Sequence, residues 1–176
     1  RQYVIVISTN AGLWTYMPGH KVRLTNLAPS RIQVSGRTRS FIDAFGEELI
    51  VENADRGMQA ACSATGAVVH EYTAGPIYMD GSARGGHEWA IEFERPPDDF
   101  ERFTTVLDET MRGLNSDYDA KRRTGMVLRR PVVHDVPPGT FHEWLKRRGK
   151  LGGQNKVPRL CNDRELLDQL LLELHA

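Results

Sequence analysis

From Glu47 onward the apolar positions fall at helical spacing. Ile50, Val51, Ala54, Met58, Ala61 and Cys62 share one face, which predicts an amphipathic helix over 47–64, stopped by Gly66. A second stripe, Phe100, Phe103, Val106, Leu107, Met111 and Leu114, follows Pro96-Pro97, with Asp98 and Glu101 in the spacing of a capping box. Helix resumes from Ser116 to Arg123. Thr140 with Glu143 is read as the cap of a short helix carrying Phe141, Trp144 and Leu145. Asn162 with Glu165 is read as the cap of the last, whose Leu166, Leu167, Leu170, Leu171 and Leu174 face inward.

Elsewhere the pattern is that of strands. Val4 to Ile7 is a run of β-branched residues, the mark of a strand buried on both faces. LWTY, HKVRLT and RIQVSG follow, punctuated by Asn10-Ala11-Gly12, Pro18-Gly19 and Pro29. Further strands are predicted at 67–73 and 87–94, joined by a glycine-rich loop, and across VLRRPVVHDV, where Pro131 implies an edge or a bulge. The order implies an α+β fold: a small mixed β-sheet packed with helices.

Composition changes this picture little. The chain has 176 residues, 40% hydrophobic and 26% charged, which suits one domain or one small domain plus a fragment. With 23 basic and 23 acidic residues, charge argues for neither a nucleic-acid nor a membrane partner. Cys62 and Cys161 make no disulfide framework and suit a reducing cytoplasm. No signal peptide or membrane-spanning run is visible. The chain starts without methionine directly in a strand, so it reads as a fragment or processed form whose covering partner lies upstream.

Candidate chemistry is sparse. The six histidines show no metal-ligand spacing and read as surface or structural residues, so no metal site is expected. No nucleophile elbow or phosphate-cradling Walker loop occurs. Lys121-Arg122-Arg123, Arg129-Arg130 and Lys146-Arg147-Arg148 lack interleaved aromatic residues, and in the last of these the cations also suit a helix C-terminus.

Three stretches remain: YMPGH (16–20), GRTRSFIDAFGEEL (36–49) and QNKVPR (154–159). Each alone is readable as a plain loop. In this order they resemble the C-terminal part of the auxin-responsive promoter (Gretchen Hagen) family of acyl acid–amido synthetases, within the adenylate-forming superfamily. Ser8 to His20 resembles the family's strand and Tyr-x-x-Gly-Asp motif; Gly36-Arg37-Thr38-Arg39 resembles its hinge and Phe45-Gly46-Glu47 its helix start. Leu114 to Tyr118 and Gly139-Thr140-Phe141 resemble later landmarks.

The resemblance implies a ligase working in two half-reactions: a carboxylic acid attacks ATP, and an amine then displaces AMP. It implies ATP with Mg2+ in the whole enzyme, a β-rich remnant of the large domain plus hinge over 1–36, and a mobile C-terminal domain over 37–176. Lys156 becomes the catalytic cation, Tyr16, His20 and Arg37 nucleotide-binding residues, and Gly36 and Arg39 the hinge. Glu47 and Glu48 are assigned to the helix dipole. The expected partners are the large adenylating domain, a carboxylic acid and an amine. Exposed strands also predict self-association.

Two departures qualify the resemblance. His20 replaces the family's aspartate, offering one acceptor nitrogen instead of two carboxylate oxygens. The family's phosphate loop and acid pocket have no counterpart in these residues, so the chain alone is expected to be inactive. A non-catalytic binding module that retains the fold stands as the alternative, and for Lys156 a solvated surface loop.

Overall fold

Strands β4 (Phe41–Ile42) and β5 (Leu49–Ile50) pair antiparallel, and this small ribbon decides where the first helix begins. In the computed structural model, residues 2–12, 14–17, 20–37, 41–80, 84–123, 125, 127–152 and 156–174 are described. Helix α1 runs Val51–Thr65, four residues later than the periodicity suggested, because the apolar positions before it are spent on strand pairing. Gly66 ends it in the left-handed conformation (φ 70°), as C-terminal glycines do.

The central sheet follows. Strands β6 (Val68–Ile77) and β7 (Gly86–Arg95) are antiparallel, and β8 (Val132–Val136) joins β7 in parallel at the edge, immediately after Pro131. On the far side of β6 the segment around Leu160 adds a parallel bridge, with Ala74 N–H donating to Arg159 O and Cys161 N–H to Ala74 O, both at 2.9 Å. Antiparallel and parallel pairs in one sheet make it mixed, and with five helices among the described residues the fold is α+β.

Helices cover both faces. α1 and α2 (Phe100–Leu114) pack over Tyr72, Trp89, Ile91 and Phe93, while α4 (Thr140–Arg147) and α5 (Glu165–Leu174) pack over Ala90 and Val136 on the other side. Strand β7 reads His-Glu-Trp-Ala-Ile-Glu-Phe, an alternation that ordinarily marks one wet face. Here both faces are covered, and Glu88 and Glu92 stand beneath the second helical layer. The short helix α3 (Ser116–Arg123) closes the end of the first layer.

Three caps differ from the sequence reading. Asp99, not Asp98, caps α2, accepting from Arg102 N–H at 2.9 Å. Helix α4 starts from Gly139, and Thr140 turns back to donate to Pro137 O. Asp163, not Asn162, accepts from Glu165 N–H at the start of α5.

Ahead of this body lies a three-stranded antiparallel sheet of β1 (Gln2–Val4), β2 (His20–Leu27) and β3 (Ser30–Arg37). The expected double burial of Val4 to Ile7 does not occur: Val4 is 44% and Val6 53% exposed. Tyr3, Ile7, Trp14, Tyr16, Leu27, Ile32 and Val34 are exposed as well, so within the described chain this sheet has almost no core of its own.

Candidate functional site

The terminal motif is held from its second half onward. Val157 is buried beneath α4 and α5; Pro158 O accepts from Thr73 Oγ1 at 2.7 Å; Arg159 and Cys161 make the bridge to Ala74. Arg159 also bonds Asp55 at 2.5 Å and lies over the Tyr72 ring, whose hydroxyl donates to the same carboxylate. Burial, and then the Asp55 carboxylate, push the Tyr72 hydroxyl well above the ordinary phenol range. Lys156 is therefore an exposed side chain one residue ahead of a segment hydrogen-bonded to β6. Residues 153–155 lie outside the described residues.

The other assigned positions are partly placed. Backbone register pairs His20 with Arg37 and Lys21 with Gly36 across β2 and β3; the side chains of these four lie outside the described residues. Tyr16 is half exposed and exchanges backbone hydrogen bonds with Ile7 at 2.8 and 2.9 Å. Arg39 lies outside the described residues.

Glu47 is not a helix-dipole residue. It lies ahead of α1, fully buried, with Oε1 2.8 Å from Nε2 of the equally buried His87 and Oε2 accepting from Phe45 N–H. Burial alone would raise its pKa, but the hydrogen bond and charge of His87, together with the Phe45 amide, hold it below the usual carboxylate value. A carboxylate oxygen can only accept, so in this contact Nε2 of His87 is the donor. The imidazole stacks on Tyr118, with centroids 5.4 Å apart. Tyr118 donates to Asp108 at 2.7 Å, and Asp108 takes a bidentate bond from Arg122.

The landmark Leu114 to Tyr118 thus has a physical role. Asn115 Oδ1 accepts from Asp117 and Tyr118 N–H at the start of α3, while its Nδ2 donates to the carbonyls of Glu47 and Glu48. Lys121 Nζ donates to Gly46 O, and a Cβ on Gly85 would run into the Phe45 ring. The Phe-Gly-Glu segment is consequently clamped from β7, α2 and α3.

Glu92 also went unread in the sequence. Its two oxygens accept from Gly139 and Phe141 N–H at 2.9 and 3.2 Å, capping α4 from another element. Glu88 is held between His134 and Arg164; burial raises its pKa, and those two partners bring it below the usual value. The only local hint was the pair Glu88 and Glu92, flanking Ala90 on one face of a largely apolar strand.

The remaining groups offer little chemistry. Burial raises both thiols, so Cys62 and Cys161 are not poised nucleophiles. Arg122, Arg123, Arg130, Lys146 and Arg148 each bond a carboxylate within the chain. A groove of about 340 Å³ between α1 and β6 is lined by Asp55, Cys62, His70, Tyr72 and Arg159. Among the described residues no trio of His, Cys, Asp or Glu gathers for a metal, and no helix is long and apolar enough to cross a membrane.

Comparison with solved structures places the fold among acyl acid amido synthetases. "GH3.15 acyl acid amido synthetase" superposes with a TM-score of 0.76 at 18% identity, covering 97% of this chain and 32% of that one. "AtGH3.15 acyl acid amido synthetase in complex with 2,4-DB" gives a TM-score of 0.71, also at 18% identity and with the same coverage. The chain therefore spans about a third of the length of the structures it matches. No curated protein matches it. The model of the GH3 family C-terminal domain matches residues 52–165, and the chain belongs to that family.

Proposed function

We propose that this chain is the C-terminal domain of an ATP-dependent amide synthetase that forms an acyl-adenylate, and that Lys156 is its charge-delivering residue. The observation carrying this reading is the setting of Lys156: an exposed cation on the rim of the bonded segment 157–161, in a chain of this family. A point charge with flexible donors on a rigid base suits the presentation of positive charge to phosphate oxygens.

In the first half-reaction a carboxylate oxygen bonds to the α-phosphorus of ATP as pyrophosphate leaves. Both reactants are anionic, and the Lys156 ammonium offsets their repulsion. In the second, the amine nitrogen bonds to the acyl carbon, loses a proton, and AMP departs. Tyr16 offers a half-exposed ring to the nucleotide, and backbone pairing sets positions 20 and 37 opposite each other at one end of β2 and β3. Mg2+ belongs with the triphosphate. Gly36 and Arg39 flank the hinge, about which the 37–176 domain turns against a large domain upstream. The compartment is the cytoplasm.

The test is acid-dependent ATP–pyrophosphate exchange on the protein at its natural length, with Lys156→Ala beside it. A fall of about 100-fold, the scale of one preorganised charge contact, supports the assignment. Equal exchange in both removes Lys156 from the first step. No exchange with a broad panel of acids favours a non-catalytic binding module.

A further inference from the structure

Asn162 precedes the last helix at the spacing of a cap, yet its side chain faces elsewhere. Its Oδ1 accepts from Asp43 N–H at 2.9 Å, a partner 119 residues away, and its carbonyl accepts from Tyr78 Oη–H at 2.9 Å. Asp163 performs the cap at Glu165 instead.

The two ends of this contact have different attachments. Asp43 stands just after the hinge segment, in a loop whose carboxylate also accepts from Glu48 N–H and whose next residues are clamped by Asn115, Lys121 and His87. Asn162 stands two residues beyond Leu160, just past the extended segment bonded to Ala74 whose upstream end is Lys156. A rotation at the hinge moves Lys156 to a defined place only if these two segments move as one piece. The sheet and the apolar layers join them indirectly, through several packed elements. Asn162 joins them in a single step.

We propose that Asn162 is a positioning residue, tying the segment after the hinge to the strand that presents Lys156. This rests on the synthetase reading above. An exposed hydrogen bond of this kind contributes little to global stability. A misplacement of the delivered charge by a fraction of an ångström weakens catalysis far more steeply. The contact therefore acts on register and hardly on folding.

The experiment uses the protein at its natural length with Asn162→Ala and Asn162→Asp, the second keeping an acceptor oxygen. Pyrophosphate exchange is expected to lose about ten-fold in kcat in Asn162→Ala, with KM for ATP and acid within two-fold, an unchanged Tm, and recovery in Asn162→Asp. An unchanged kcat overturns the proposal. So does a loss accompanied by a large fall in Tm, which marks a merely structural residue. Amide hydrogen exchange is measured in parallel, because it needs no activity. Loss of protection at Ala74 and Cys161, away from the substituted bond, supports the coupling; unchanged protection there overturns it. An inactive wild type with the coupling intact defeats the synthetase reading separately.

Discussion

The carboxylate of Glu47 and the imidazole of His87 meet at 2.8 Å with neither side chain reaching solvent. The pair joins the loop that precedes α1 to the central strand, and it lies against Tyr118 and the carboxylate of Asp108 behind it. Removing one partner leaves the other buried and uncompensated. Glu47→Leu is expected to cost about 3 kcal/mol or more, lowering Tm by roughly 6–12 °C in a domain of this size. Chemical denaturation of the two proteins side by side measures it.

Acid sensitivity follows from the same carboxylate and from Glu88. Both have folded pKa values held below the ordinary value, so their contribution is complete above the unfolded carboxylate pKa of about 4.3 and is lost as pH falls through the folded value. Urea midpoints should stay level from neutrality down to about pH 5 and then fall. Glu47→Gln, less stable at neutral pH, should show a shallower acid limb; a limb as steep as the parent's would count against the assignment.

Glu92 caps α4 from β7, so its loss should be felt at the helix. Glu92→Ala leaves the Gly139 and Phe141 amides without their acceptors, at an expected cost of about 1–3 kcal/mol. Faster hydrogen exchange at residues 139–141 is the local readout, and Glu92→Gln, which keeps one oxygen, should be milder.

Gly85 and Phe45 are sterically matched. Gly85→Ala forces a methyl into the Phe45 ring and should destabilise by about 1–3 kcal/mol. Phe45→Ala in the same chain removes the clash, so the double variant should cost clearly less than the sum of the two single ones. Strict additivity in the cycle would show that the ring already yields.

Self-association is expected of the chain on its own. The exposed Tyr3, Val4, Ile32 and Val34 lie on a three-stranded sheet, with the exposed Val6 just beyond β1, the kind of apolar edge and face that recruits another copy. Light scattering should report species larger than a 19.9 kDa monomer at high concentration. Val6→Lys with Val34→Lys should return the monomer; a parent that is monomeric at every concentration would refute this.

Long amphipathic segments were the legible part of this protein. The stripes of α1 and α2 and the run of α3 are stated by the periodicity of their residues, and the α+β class follows from how those segments alternate with strands. Motif order likewise pointed to the family to which the chain belongs. These are local or serial properties, carried by spacing along the chain.

Partnership across the chain is a different kind of information. The capping spacings at Asp98, Thr140 and Asn162 are all present, yet the caps fall to Asp99, to Glu92 acting on α4 from β7, and to Asp163, because each choice depends on which acceptor the packed fold brings near the helix end. Glu47 has the look of an acidic helix start, and only the arrival of His87, forty residues on, makes it a buried base. Val4 to Ile7 has the composition of a core strand, but burial needs a covering layer, and the described chain supplies none there. Sequence by itself determined the main helices and the central strands and their order, since hydrophobic period and backbone propensity act within a few residues. Tertiary structure alone decided which polar groups meet, since a hydrogen bond requires two atoms within about 3 Å, and that distance exists only after the layers have packed.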